Sequence, residues 1–254
     1  MKKNLVKEKI QAGQPVIGPI MGFNAPILVE IFAYAGFDFV VLDAEHGPLS
    51  VETCENLVRT AEAAGIPSII RCPLNIPQDI LRYVDTGTMG LHIPQINTAQ
   101  DAVTAVRSVK FHPMGQRGLA GTRAHGYGVA GPLSEQVKIS NQESMIIAHI
   151  ENIQAVHNLP ELLAVDGIDV YFIGTSDLSH SMGIPAQYNH PDLVAVVDRA
   201  MKEITAAGKK VGNIARNADE VRQYVDKGSS YVLVGAAGLI MSGATSFLQK
   251  ARQS

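Results

Sequence analysis

Two runs, SMIIAHIEN (144–152) and DVYFIGTSD (169–177), enclose the helix-like segment 152–164, and their reading decides the fold. Each is almost continuously apolar until its last residues, where a carboxylate appears. Strands covered on both faces read this way, as in a parallel sheet flanked by helices. The unit repeats outward in both directions. Upstream lie PVIGPIMG (15–22), FDFVVLDAEH (37–46), IPSIIRCP (66–73) and GLHIPQ (90–95); downstream lie KKVGNIA (209–215) and SYVLVGAA (230–237). Helical patterns fill 25–35, 50–64, 76–86, 98–109, 190–207, 217–227 and 238–252. Several open on the capping residues Ser50, Thr98 and Asn217, and several close on Gly36, Gly65, Gly87, Gly208 and Gly228. Eight strand–helix repeats predict an α/β chain folded as one (β/α)8 TIM barrel over 1–254. An open doubly wound sheet of six or seven repeats is the alternative. Residues 110–140 break the rhythm, being long, glycine-rich and basic, and loops of that kind are usually functional or mobile.

Composition narrows the function. The chain has 254 residues, 21 Lys+Arg against 24 Asp+Glu, and a formal net charge of −3. That balance gives no footprint for nucleic acid or for an anionic membrane. No run of 18 apolar residues occurs, and MKKNLVKEKI lacks the apolar core of a signal peptide. With only Cys54 and Cys72 as cysteines, the expectation is a cytoplasmic protein.

In a barrel the active site is built at the C-terminal ends of the strands. Here the runs end in His46, Arg71, Gln95, Glu151 and Asp177. Glu151 and Asp177 at adjacent strand ends suit a hard divalent ion that keeps waters or substrate in its other positions. Alternatively, each caps the helix that follows it. In DAEHGP (43–48), His46 is a candidate general base, flanked by Asp43 and Glu45. Arg71 suits a carboxylate or a developing oxyanion, or pairs structurally with Asp43 or Glu45. Asp85, at a helix end where the dipole favours cations, needs a partner, and His46 is the candidate. IGTSDLSHSMG (173–183) offers successive backbone N–H groups around Gly174 and Ser176 for a small carboxylate. No lysine falls deep in a predicted strand, which argues against a Schiff base. No phosphate-binding glycine motif or acyl-enzyme motif occurs either.

Taken together, DAEHGP (43–48), IIRCP (69–73), YVDTGTMGLHIPQI (83–96), GQRG (115–118), HIEN (149–152) and IGTSDLSHSMG (173–183) resemble the HpcH/HpaI aldolase family. The resemblance runs from about Val16 to Gly238. It implies a metal-dependent class II pyruvate aldolase, a carbon–carbon lyase that cleaves a 4-hydroxy-2-oxo acid to pyruvate and an aldehyde. Glu151 and Asp177 would then hold Mg²⁺ or Mn²⁺, with Co²⁺ also accepted, and Arg71 would contact the pyruvate oxygen. His46 with Asp85 would handle the proton at the aldehyde end, and the backbone near Gly174, Ser176 and Asp177 would seat the carboxylate. Family members are usually hexamers that exchange the last helix, here about 238–252.

Three departures stand out. The protein has no Trp where many members carry one after the first strand, His149 replaces the usual Gln, and Thr175-Ser176 replace the usual Pro-Ala. His149 is expected to join the ligand shell or to bond a metal-bound water. Two other readings stay open. One is a related lyase or decarboxylase acting on a CoA thioester or oxaloacetate, for which Arg117 and Arg123 are the available cations. The other is a non-catalytic 2-oxo-acid binding barrel.

Overall fold

A computed structural model describes residues 2–253. Eight parallel strands close in sequence order: β1 (Val16–Met21), β2 (Val40–Asp43), β3 (Ser68–Arg71), β4 (Gly90–Ile93), β5 (Met145–Ile150), β6 (Val170–Ile173), β7 (Val211–Ala215) and β8 (Ser229–Gly235). All eight apolar runs form strands, and the open-sheet alternative falls because β8 pairs with β1 along Val16–Ile20. The helices are α1 (Leu5–Gln11), α2 (Pro26–Tyr34), α3 (Val51–Ala64), α4 (Pro77–Val84), α5 (Ala99–Val109), α6 (Leu133–Glu143), α7 (Ile153–His157), α8 (Leu159–Leu163), α9 (Thr175–Ser181), α10 (Pro191–Ala206), α11 (Ala218–Asp226) and α12 (Ala236–Ala251).

Alternation along each strand separates two cores. Leu42, Ile70, Leu91, Ile146 and Tyr171 face the helices, whereas Val41, Ile69, Ile147, Phe172 and Leu233 fill the bore. Because the strands are short, the side chains at their C-terminal ends stand at the mouth rather than inside the packed layers. Asp43 and Arg71 are the last residues of β2 and β3 and lie directly across from each other.

The segment 152–164 splits at Asn158 into α7 and α8, with Pro160 in the first turn of the second helix, where a missing N–H is harmless. Two elements escaped the periodicity reading. α1 closes the end of the barrel where the strands begin, burying Val6 and Ile10 against the bore, while Asn4 Nδ2 donates to Met89 O (2.9 Å) and Glu143 O (2.8 Å). The stretch 110–140 is not one irregular loop: it holds a 3-10 turn, Arg123–Gly128, and the start of α6. It precedes β5 and therefore lies at the strand-start face, away from the mouth. No helix among the described residues is long and apolar enough to cross a membrane.

Candidate active site

At the mouth, Asp43, Arg71, His149, Glu151, Asp177 and the Gly174–Ser176 backbone line one cavity of about 170 Å³, floored by Phe172 and Leu233. Arg71 is clamped by Asp43 through two parallel bonds, Nε to Oδ1 at 2.8 Å and Nη2 to Oδ2 at 2.6 Å. Such a fork fixes the guanidinium plane. Asp43 also accepts from the backbone N–H groups of Glu45 (3.1 Å) and His46 (3.2 Å), so one carboxylate sets both the cation and the following loop. Burial opposes both charges, but their pairing outweighs it: the Asp43 carboxyl sits below its ordinary range and the Arg71 guanidinium above. Arg71 thus has a structural partner and still opens onto the cavity.

Glu151 is almost fully buried. Its Oε1 accepts from Gln95 N at 2.8 Å and its Oε2 from His149 Nδ1 at 2.9 Å. Burial pushes its carboxyl up, and His149, the Gln95 N–H and Arg71 together bring it below the usual value. Gly174 leaves the room for it: a Cβ there would meet Glu151 Cβ at 2.9 Å and Oε2 at 3.0 Å. The helix-cap alternative fails for Glu151, because Asn152 caps α7 by accepting from Gln154 N at 2.9 Å. Asp177 lies in the first turn of α9, whose N-cap is Gly174, and its carboxylate has no hydrogen bond or ion pair among the described residues. No group of three or more His, Cys, Asp and Glu side chains among the described residues is placed to hold an ion. The donor set is two carboxylates on a small cavity, which fits a hard dication retaining waters and substrate.

Several expectations change in detail. Gln95 serves through its backbone, not its amide: its positive φ of 56° turns its N–H to Glu151 while its side chain is exposed. Gly174 donates its N–H to Ile150 O (3.1 Å), so it is not available to a ligand, whereas the first-turn N–H groups of α9 have no intrahelical partner. His149 bonds Glu151 directly. His46 stands on the rim, its side chain 60% exposed, with Nε2 3.8 Å from Glu45 Oε2. Asp85 does not pair with His46 within the chain. It ends α4 at the strand-start face, and its partner there is the buried Arg117, Nη2 to Oδ1 at 2.5 Å. Within the chain, the cation that the helix end calls for is therefore Arg117. Arg123 is likewise spent on Glu62 and Thr86 O, so neither arginine is free at the mouth for a CoA phosphate. One lysine, Lys110, is buried after all and pushed down to about 8 by desolvation. It too lies on the strand-start side, donating to Asn141 O and Ser144 O. His92 and Tyr231, inside the bore, were missed. The only signal for His92 was a histidine within the apolar run GLHIPQ, level with Arg71 on the neighbouring strand.

Glu45 completes the charge cluster. Its Oε2 is buried 3.4 Å from Arg71 Nε without a hydrogen bond. Burial raises its carboxyl to about 7 against the pull of Arg71, and Glu151 adds to the rise. The folded protein therefore holds this proton more tightly than the unfolded chain. Its contribution to stability is complete below about pH 4.5 and is lost as pH climbs through 7. In EDTA, Glu45→Gln is expected to gain on the unsubstituted protein by up to about 3 kcal/mol between pH 4.5 and 8, at 1.36 kcal/mol per pH unit. Thermal melts across that range would check it. A constant difference would show that Glu45 ionises normally.

The chain is thus a closed (β/α)8 TIM barrel that gathers an arginine and two carboxylates at one mouth. The HpcH/HpaI aldolase/citrate lyase family model matches residues 21–243, and the chain belongs to that family. It is 32% identical over 248 residues to a 4-hydroxy-2-oxo-heptane-1,7-dioate aldolase of Shigella sonnei, covering 97% of this chain and 94% of the relative. Among solved structures, an HpcH/HpaI aldolase/citrate lyase family protein from Burkholderia cenocepacia J2315 superposes with a TM-score of 0.93 at 28% identity, covering 99% and 100% of the two chains. The citrate synthase SbnG gives a TM-score of 0.87 at 28% identity over 97% of each.

Proposed function

We propose that the protein is a divalent-metal-dependent aldolase that cleaves a 4-hydroxy-2-oxo acid to pyruvate and an aldehyde. The observation that carries this reading is the shared cavity of Arg71, Glu151 and Asp177. Glu151 and Asp177 would hold Mg²⁺ or Mn²⁺, with Co²⁺ a further candidate. When bound, the ion supplies Lewis-acid stabilisation of the negative charge that cleavage leaves on the three-carbon product. Arg71, with Nε and Nη2 committed to Asp43, turns Nη1 to the same charge; a preorganised donor needs no reorganisation as the charge develops. The first-turn N–H groups of α9 at Thr175 to Asp177 seat the substrate carboxylate. His46, on the rim, takes the 4-hydroxyl proton as the C3–C4 bond breaks, with Glu45 as its neighbouring carboxylate. The relatives named as aldolases support the reaction class.

A second reading places the same site on another carbon–carbon bond, and the likeness to citrate synthase SbnG favours it. The test is pyruvate release from a panel of 4-hydroxy-2-oxo acids and oxaloacetate, with EDTA and then Mn²⁺ restored. The aldolase reading expects turnover of at least one hydroxy acid that EDTA stops and Mn²⁺ returns. Turnover indifferent to chelation would contradict it, and turnover of oxaloacetate alone would move it to the second reading. If Mn²⁺ and pyruvate bind but nothing turns over and no deuterium exchanges into the pyruvate methyl group, the reading becomes a non-catalytic 2-oxo-acid binding barrel.

The reading extends to assembly and compartment. Of α12 only Ala236 is buried, and Leu239, Ile240, Met241, Phe247 and Leu248 are exposed. Such an apolar helix supports a homo-oligomer, a hexamer by the family resemblance, with α12 exchanged between subunits. Free, buried Cys54 and Cys72 support a reducing cytoplasmic compartment.

A further inference from the structure

Below the cavity floor, a line of hydrogen bonds crosses the barrel bore. Tyr231 Oη on β8 lies 2.7 Å from His92 Nε2 on β4. His92 Nδ1 lies 2.8 Å from His149 Nε2 on β5, and His149 Nδ1 lies 2.9 Å from Glu151 Oε2. His92 and Tyr231 are wholly buried and His149 nearly so. β4 and β8 stand opposite each other in the closed sheet, so the line ties one wall to the other. Packing wedges each ring in place. Tyr231 stacks on Phe39 at 4.5 Å, and Phe172 stacks on His149 at 4.9 Å. Two glycines make the space: a Cβ on Gly18 would strike the Phe39 ring at 2.6 Å, and one on Gly212 would meet Phe172 at 2.9 Å.

The two ends of the line together fix its direction. An ionised carboxylate only accepts, so His149 donates from Nδ1. Were Nε2 to donate too, His92 would donate to Tyr231 Oη and leave the buried tyrosine proton without an acceptor, so Nε2 accepts. His92 must then donate from Nδ1, which leaves Nε2 to accept from the Tyr231 hydroxyl. Burial holds His92 neutral and keeps the Tyr231 hydroxyl protonated, as this order requires. No nitrogen or hydroxyl of the three side chains is left unpaired. Reversing the tautomers would set a lone pair of His149 against the Glu151 carboxylate.

We propose that Tyr231, His92 and His149 are positioning residues, a one-way hydrogen-bond chain that orients Glu151 Oε2 and so sets the affinity of the site for its divalent cation. The proposal rests on the reading of Glu151 as a cation ligand. Groups that orient a metal ligand from behind typically change affinity about 10–100-fold when lost.

The test is calorimetric titration of Mn²⁺ into the substrate-free full chain, comparing Tyr231→Phe with Tyr171→Phe. Tyr171 is a buried control: its hydroxyl donates to Leu162 O (2.9 Å) on the helix side of β6. Tyr231→Phe is expected to weaken Mn²⁺ binding by about 10–100-fold, and Tyr171→Phe by less than about twofold. Equal affinity in Tyr231→Phe and the unsubstituted protein would overturn the chain's role, and so would an equal loss in both variants. A second measurement needs no variant. Nitrogen-15 NMR of the histidine rings is expected to show His92 and His149 as neutral Nδ1–H tautomers; an Nε2–H tautomer at either would overturn the proposal even if Tyr231→Phe fails to fold. If the unsubstituted protein binds no Mn²⁺, the cation reading itself fails, an outcome distinct from unchanged affinity in the variant.

Discussion

Glu151→Gln is expected to lower pyruvate formation by at least about 10³-fold at saturating Mn²⁺, because Lewis-acid stabilisation is worth several kcal/mol and each 1.36 kcal/mol is tenfold in rate. The barrel should survive the change. Glutamine keeps the length and one acceptor oxygen, and Gly174 leaves the space. The loss is one hydrogen bond to a charged group, either from Gln95 N or from His149 Nδ1. That destabilises by about 1.5–3 kcal/mol. A steady-state assay with a parallel melt separates the two effects. Turnover within tenfold of the unsubstituted protein would remove Glu151 from the chemistry.

Arg71→Ala is expected to lose about 10²–10³-fold in kcat, the usual cost of removing a preorganised donor from a developing oxyanion. It should also lose stability, which Glu151→Gln does to a smaller degree. Asp43, whose side chain is only 9% exposed, would be left without its counter-charge. Breaking a buried pair from one side costs about 3–5 kcal/mol. Arg71→Lys divides these contributions. It restores a charge near Asp43 but not the two-pronged geometry, so the melt should recover more than the rate. Equal recovery of both would mean that Arg71 acts only by holding Asp43 and its loop. Undiminished turnover in Arg71→Ala would remove the oxyanion contact.

The sequence was legible where local chemistry and burial agree. IIAHIE and VYFIG are buried on both sides, so their apolar continuity marked strands directly, and polar residues closing such runs marked the mouth. Arg71 and Glu151 close two of those runs, and both line the cavity at the mouth. What remained hidden depends on which end of the barrel a segment closes. Asp85 stands out by its place at a helix end and 110–140 by its length and composition, but neither shows that the connection between α5 and β5 lies at the strand-start face, where Arg117 pairs with Asp85 and Arg123 with Glu62. α1 was hidden because seven residues with three lysine or glutamate neighbours carry little periodicity, and its two buried residues matter only once a bore exists to plug. His92 and Tyr231 are joined across the barrel, a contact of sequence separation 139 that no window can hold. Asp177 was placed correctly at the mouth, but on a helical turn instead of a strand end.

The central claim is that the carboxylates of residues 151 and 177 share one divalent ion. Anomalous diffraction from crystals of the unsubstituted protein and of Glu151→Gln, both soaked in Mn²⁺, measures this directly. The account predicts one manganese peak at roughly 2.0–2.3 Å from a carboxylate oxygen of Glu151 and one of Asp177, a typical range for oxygen ligands of such ions, and its loss in Glu151→Gln. A peak elsewhere, or one that survives unchanged in the variant, would contradict it.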